Sequence, residues 1–122
     1  MRYEIKRYSF ELPDSWKNVV SVKESRNSVI IRETMETGGG HSGIVVTLKS
    51  SRKQLPGQDG TEFLGTLAPA DGSGNLYLYA LYGAEASCSE EAADLYWRLV
   101  DKMPLVFCSI QAAAGYTWDG AV

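Results

Sequence analysis

The stretch Ser87–Met103, SCSEEAADLYWRLVDKM, has the pattern of an amphipathic helix and decides the fold of this chain. Ser87 and Glu90 fit a capping box, in which a side-chain oxygen accepts a hydrogen bond from a free backbone N–H at the helix start. At about 100° per residue, one stripe is apolar: Ala92, Leu95, Tyr96, Leu99, Val100 and Met103. An apolar stripe must be covered, so the sequence predicts a helix from about Ser89 to Met103 that packs on a sheet.

Pro104 follows this stretch and cannot donate a hydrogen bond to a continuing helix. We therefore expect the helix to stop or bend at this residue. The favoured alternative is a bent helix in which the proline takes the first position of a second helical piece. The other alternative is an extended segment over residues 105–110.

The chain before the helix should supply the sheet. Six segments are rich in β-branched or aromatic residues and are bounded by turn residues: Tyr8–Leu12, Val19–Val22, Val29–Ile31, Ile44–Leu48, Thr61–Leu67 and Leu76–Tyr82. Connections such as 24–28 and 71–75 have the length of hairpin turns, whereas parallel strands need crossovers of a dozen or more residues. The predicted fold class is therefore α+β, an antiparallel sheet of five or six strands packed by one C-terminal helix.

The composition indicates one ordinary globular domain over residues 1–122. The chain is 44% hydrophobic and 22% charged, which suits a single core. Its net charge is −3 and its Lys and Arg residues are scattered, so the sequence does not predict a basic patch that would bind nucleic acid or anionic lipid. No apolar run approaches the roughly 20 residues of a membrane span. A protein partner is the expectation that remains, and the sequence leaves the oligomeric state open.

The sequence does not predict catalytic or metal chemistry. His41 is the only histidine, and it lies in the glycine-rich run 38–43, which precedes a strand rather than the helix start of a phosphate-binding loop. Cys88 and Cys108 would lie roughly 30 Å apart along a helix, too far for a disulfide. We expect two free thiols, with Cys108 buried as a small apolar residue. The prediction is a protein that is not an enzyme and that holds no cofactor and no metal.

Aromatic side chains are the best candidates for a recognition surface. Strand alternation places Tyr77 and Tyr79 on the face opposite the leucines of Leu76–Tyr82. The tail 112–122 carries two further rings, and it either folds back on the domain or extends toward a partner. The candidate binding residues are Trp97, Tyr77, Tyr79, Tyr116, Trp118 and, in the glycine-rich loop, His41. A structural role is the alternative for each ring.

The segment Tyr8-Ser9-Phe10-Glu11-Leu12-Pro13-Asp14-Ser15-Trp16 resembles the Y-x-F-x-L-P-x-S-W opening of small uncharacterised extracytoplasmic domains, often lipoproteins, of anaerobic gut Firmicutes. The resemblance extends over roughly residues 8–110. The Leu-Pro-x-x-Trp part also resembles the opening of the PsbP-like α/β/α sandwich, at the level of fold alone. The family offers no established activity to carry over. This chain departs from it at Gly83, where a proline commonly stands, at Pro104, and in lacking a lipobox cysteine near its start.

Two functions from different classes follow. The first is a non-catalytic module that recognises a protein or a cell-envelope component, and the resemblance implies an extracytoplasmic location for it. The alternative is a small acidic inhibitor from a phage or mobile element, of the anti-CRISPR type, that occupies a basic surface of a host protein. Negative charge, the expected free thiols and a start without the apolar core of a signal peptide favour this second function and a cytoplasmic location, unless a signal segment precedes this sequence.

Overall fold

A computed structural model of the chain describes residues 1–34, 43–57, 60–83 and 90–120. Its elements follow the order β1 (Arg2–Glu4), β2 (Tyr8–Glu11), a 3₁₀ helix (Asp14–Trp16), β3 (Val20–Glu24), β4 (Ser28–Glu33), β5 (Ile44–Ser51), β6 (Thr61–Pro69), β7 (Leu76–Tyr82), α1 (Glu90–Cys108), β8 (Gln111–Ala112) and β9 (Tyr116–Gly120). The predicted α+β class, with a C-terminal helix packed on an antiparallel sheet, is confirmed.

The described strands form two antiparallel sheets. Six of them form a large curled sheet in the order β3-β4-β5-β7-β6-β9, and three form a small sheet in the order β1-β2-β8. The predicted hairpins over 24–28 and 71–75 are confirmed as the β3–β4 and β6–β7 connections. The predicted strand at Tyr8–Leu12 belongs to the small sheet, where it pairs with β1 and β8.

One apolar core joins the two sheets and the helix. The inner face of β7 is the leucine face predicted from alternation, and Leu78 is fully buried there. The helix contributes Met103 and Val106 to this core, and the small sheet contributes Tyr8 and Phe10. The helix and the small sheet therefore cover the same face of the large sheet.

The helix continues through Pro104 as far as Cys108, so the predicted bound at Met103 is wrong, whereas the helical continuation from Pro104 in the favoured alternative is confirmed. The extended alternative for residues 105–110 is wrong up to Cys108, because this segment is helical. Val106 is fully buried and continues the stripe that Leu99 and Met103 begin. Burial of such a side chain stabilises a fold by about 1.5–3 kcal/mol, which offsets the roughly 3 kcal/mol that a proline costs inside a helix.

The tail is part of the large sheet as far as the structure describes it. β9 pairs with β6, and Trp118 lies opposite Leu67. The turn between β8 and β9 uses Gly115 at a φ of +89°, and the Tyr116 N–H donates to the Ala113 carbonyl at 3.1 Å. Of the two alternatives for the tail, residues 112–120 adopt the folded-back one.

Gly83 holds the end of β7 close to β5. Its N–H donates to the Val45 carbonyl at 2.9 Å, and its own carbonyl accepts a hydrogen bond from the Tyr96 hydroxyl. A Cβ atom at Gly83 would lie 2.0 Å from the Ile44 carbonyl oxygen. A proline at this position could neither donate this hydrogen bond nor fit.

Candidate functional site

The structure separates the predicted binding residues into different surfaces. Trp97 is 54% exposed on the solvent side of α1. Tyr77 is half-buried on the outer face of β7, while Tyr116 and Trp118 lie on the inner face of β9, the face that carries the helix. His41 lies outside the described residues, and its binding role stays a prediction.

Tyr79 is only 5% exposed, so its ring offers no contact surface. Segment 52–57 lies over it, and the Leu55 N–H donates to the Tyr79 hydroxyl oxygen at 2.9 Å. The Phe63 ring packs beside it, with 5.4 Å between the ring centroids. Alternation placed Tyr79 correctly on the outer face, but it carried no information on the loop that covers this position.

An apolar groove lies between the C-terminal half of α1 and the strands β6 and β9. We call it the α1–β9 groove. Its volume is about 380 Å³, and it is lined by Glu62, Phe63, Leu64, Pro104, Phe107, Cys108, Trp118 and Gly120. Phe63 is 42% exposed, but its ring packs on Tyr77 and Tyr79 at the outer face, so it borders the groove rather than filling it. The groove is therefore a concave apolar surface with one charged residue in its lining.

Trp118 owes its position in the groove to a missing side chain on β6. A Cβ atom at Gly65 would lie 2.6 Å from Cη2 of Trp118 and 2.5 Å from the backbone oxygen of Asp119. Real Cβ atoms do not approach other atoms this closely, so any larger residue at Gly65 would displace the indole or the strand. The Trp118 ring therefore packs directly over Gly65.

The solvent side of α1 extends the apolar surface beyond the groove. At 100° per residue, Trp97, Pro104 and Cys108 fall within about 40° of one another on the helix. Leu105 is 64% exposed and lies about 60–100° further round the helix, with the exposed Asp101 between it and Trp97. These four apolar residues form what we call the α1 strip. Solvent sides of helices are usually polar, so this group of exposed apolar side chains, interrupted by Asp101, favours an interaction surface.

Cys108 is exposed, so the prediction that it is a buried apolar residue is wrong. The cause is the continuation of the helix, which turns Cys108 by about 200° away from the buried Val106. Its thiol is free. Within the described ranges, no group of three or more His, Cys, Asp or Glu residues could hold a metal ion.

The groove has an acidic border. Burial, together with the neighbouring Glu62 carboxylate, raises the pKa of Tyr82 to about 12. The Tyr82 ring in turn meets Phe107 edge-on, with 6.4 Å between the centroids. Asp119 is exposed on the adjoining strand β9. Neither Glu62 nor Asp119 forms an ion pair with any residue that the structure describes.

One edge of β9 is unpaired within the described part of the chain. The Ala70 N–H donates to the Gly115 carbonyl at 2.8 Å, so Ala70 and Gly115 form a hydrogen-bonded pair in the register of β6 and β9. Hydrogen-bonding groups alternate along an antiparallel strand. Those of Thr117 and Asp119 therefore face β6, and those of Trp118 and Gly120 face away from the sheet.

No described helix is both long enough and apolar enough to cross a membrane. Comparison of the chain with protein-family models, with curated proteins and with solved structures found no match. The resemblance of the opening segment to extracytoplasmic domains of gut Firmicutes therefore stays a prediction.

Proposed function

We propose that this protein is a non-catalytic module that binds another protein through the α1 strip and the α1–β9 groove. The observation that carries the proposal is the apolar groove lined by Pro104, Phe107 and Trp118, together with the exposure of Trp97 and Leu105 on the same helix. Aromatic residues are enriched in protein interfaces, and tryptophan is prominent among the residues that dominate binding free energy. Exposing such side chains to water is unfavourable, so their grouping supports a surface that a partner covers.

The chemistry of this surface supports binding rather than catalysis. Glu62 is the one titratable carboxylate in the groove lining, and the thiol of Cys108 lies beside a proline and aromatic rings. A hydrolytic site needs a nucleophile with a base in hydrogen-bond reach, and the lining supplies no such pair. Apolar area with a polar border is the usual anatomy of a protein interface.

The acidic border favours a second candidate, the small inhibitor that occupies a basic surface of a host protein. Glu62 and Asp119 would attract such a partner electrostatically. Both candidates use the same surface, and they differ in the location of the protein. The resemblance supports an envelope location, whereas phage genes next to the coding sequence would support the inhibitor.

Site-directed photo-crosslinking in a lysate of the source organism tests the proposal. One bait carries benzoylphenylalanine at Leu105, and the matched control carries it at Lys49, which is exposed on the outer face of β5. We expect the same protein to crosslink at position 105 and not at position 49. Introducing Trp97→Ala into the first bait should reduce capture about tenfold or more, as loss of an interface anchor does.

Equal capture at positions 105 and 49 would contradict the proposal, as would capture that Trp97→Ala leaves unchanged. Thermal unfolding of the variant provides the control for folding. Trp97 is 54% exposed, so its removal should change stability by about 0.5 kcal/mol or less.

A further inference from the structure

We infer that the partner adds an extended segment to the free edge of β9, and that this segment alternates apolar residues with lysine or arginine. The apolar residues would enter the α1–β9 groove, and the cations would lie opposite Asp119. This inference rests on the proposed function and adds to it the binding mode and the chemistry of the partner.

The backbone of β9 supplies the first part of the argument. The N–H and C=O groups of Trp118 and Gly120 point away from β6 and pair with no residue that the structure describes. An unpaired row of this kind is a template for another strand, and many peptide-binding domains use it. Natural edges are usually blocked by proline, by charge or by a bulge. In β9 the one charged residue is Asp119.

The groove supplies the second part. A residue paired directly with Gly120 on an added strand would point to the same face as Trp118, which is the face of the groove. A Cβ atom at Gly120 would lie 3.4 Å from Nε1 of Trp118, so an incoming side chain at this position packs against the indole. Phe107 and Pro104 complete an apolar lining there. An aliphatic side chain fits this environment, and a charged one would lose its hydration.

Charge supplies the third part. Residues on either side of such an aliphatic residue point to the outer face, where Asp119 is exposed without an ion-pair partner among the described residues. Opposite charges on directly paired positions stabilise a strand pair, and like charges destabilise it. The groove lining contains Glu62 and no cation. Lysine or arginine therefore suits the outer positions of the added strand, and glutamate or aspartate does not.

The test uses the full chain and two blocked nine-residue peptides, one alternating valine with lysine and one alternating valine with glutamate. Titration followed by two-dimensional NMR should show binding of the lysine peptide and at least tenfold weaker binding of the glutamate peptide. Amide hydrogen exchange should show new protection at Trp118 and Gly120. The amides of Thr117 and Asp119 face β6 and should be protected with or without peptide.

Gly120→Pro and Gly120→Ala form a matched pair for this edge. The proline removes a single outward N–H and leaves the hydrogen bonds to β6 in place. It should weaken binding of the lysine peptide by about fivefold or more, the equivalent of one hydrogen bond. Gly120→Ala retains this N–H and should therefore bind the lysine peptide more tightly than Gly120→Pro does. The spectra of both free variants establish that they are folded.

Equal affinity for the two peptides would overturn the inference, and so would a Gly120→Pro variant that binds like the native protein. Protection of Trp118 and Gly120 that rises with protein concentration in the absence of peptide would also overturn it, because the occupant would then be a second copy of this chain. Photo-crosslinking at Leu105 that survives Gly120→Pro would retain the proposed function and reject the added strand. Absence of crosslinking in the native protein would reject the proposed function itself.

Discussion

The two edges of the large sheet differ in how they are protected from pairing. At the β3 edge, the Ser25 N–H donates to the Ser28 carbonyl, so by alternation the groups of Val22 and Glu24 face outward. Glu24 stands on this edge and its carboxylate accepts a hydrogen bond from the Lys6 N–H at 3.3 Å. At the β9 edge the outward residues are Trp118 and Gly120, and neither carries a charge.

The two edge strands differ in the charged side chains that they carry. Charged side chains on an edge strand prevent unwanted pairing, at little cost to stability. The β3 strand carries two charged residues, Lys23 and Glu24, whereas β9 carries one, Asp119. The β9 edge relaxes the rule at the position where an apolar groove adjoins it. This difference supports the inference that a further strand adds at the β9 edge.

The largest effect should come from dislodging β9 with Gly65→Ala. The new Cβ would lie 2.5 Å from a backbone oxygen of Asp119, so the strand must shift. We expect the free energy of unfolding in urea to fall by about 1–3 kcal/mol, the usual cost of overpacking. Gly120→Ala is the control, because its Cβ would lie 3.4 Å from Nε1 of Trp118, an ordinary contact. An equal decrease in the free energy of unfolding in both variants would contradict the packing of Trp118 over Gly65.

An effect of intermediate size is expected on the β3 side from Tyr8→Phe. The Tyr8 hydroxyl is buried and finds no hydrogen-bond partner among the described residues. Burial, followed by the charge of Glu24, raises the pKa of this phenol. Removing an unsatisfied buried hydroxyl should increase the free energy of unfolding by about 1 kcal/mol. A decrease of that size would reveal a hydrogen bond to this oxygen.

The smallest change in stability should follow Glu24→Thr, which removes a charge that disfavours pairing of another strand with β3. Glu24 is exposed, so the free energy of unfolding should fall by less than about 1 kcal/mol. Self-association should nevertheless increase, and sedimentation velocity at rising concentration measures it. Lys49→Thr removes an exposed charge from the central strand β5 and should leave the protein at its native oligomeric state. Identical behaviour of the two variants would show that edge position is irrelevant.

Strand and helix patterns predicted most of the scaffold. Alternation in Leu76–Tyr82 gave both the bounds of β7 and its buried face, since that strand pairs on both sides and packs on the core. The short strands β1 and β8 were not predicted, because segments of three and two residues contain no measurable period. The pairing of β9 with β6 depends on residues about fifty positions apart, which local patterns do not encode.

The candidate site was predictable in part. Trp97 and Trp118 were identified as aromatic residues worth testing, and both lie on the proposed surface. Leu105 and Phe63 were missed. Leu105 was missed because the predicted helix ended at Met103, and extending the 3.6-residue period would have placed Leu105 on the exposed side. Phe63 was counted as an ordinary strand residue, since the bulge between Phe63 and Gly65 cannot be read from the sequence.

The indole of Trp118, which packs over Gly65, makes the intrinsic fluorescence of the protein sensitive to the groove. Trp16, one of the other tryptophans, is buried beneath a different side of the helix, so its emission should remain constant when the groove fills. A ligand that displaces water from around Trp118, or that covers the exposed Trp97 of the α1 strip, should shift the fluorescence toward the blue. Occupancy could then be followed in unlabelled protein, and candidate ligands could be ranked before any partner has been isolated.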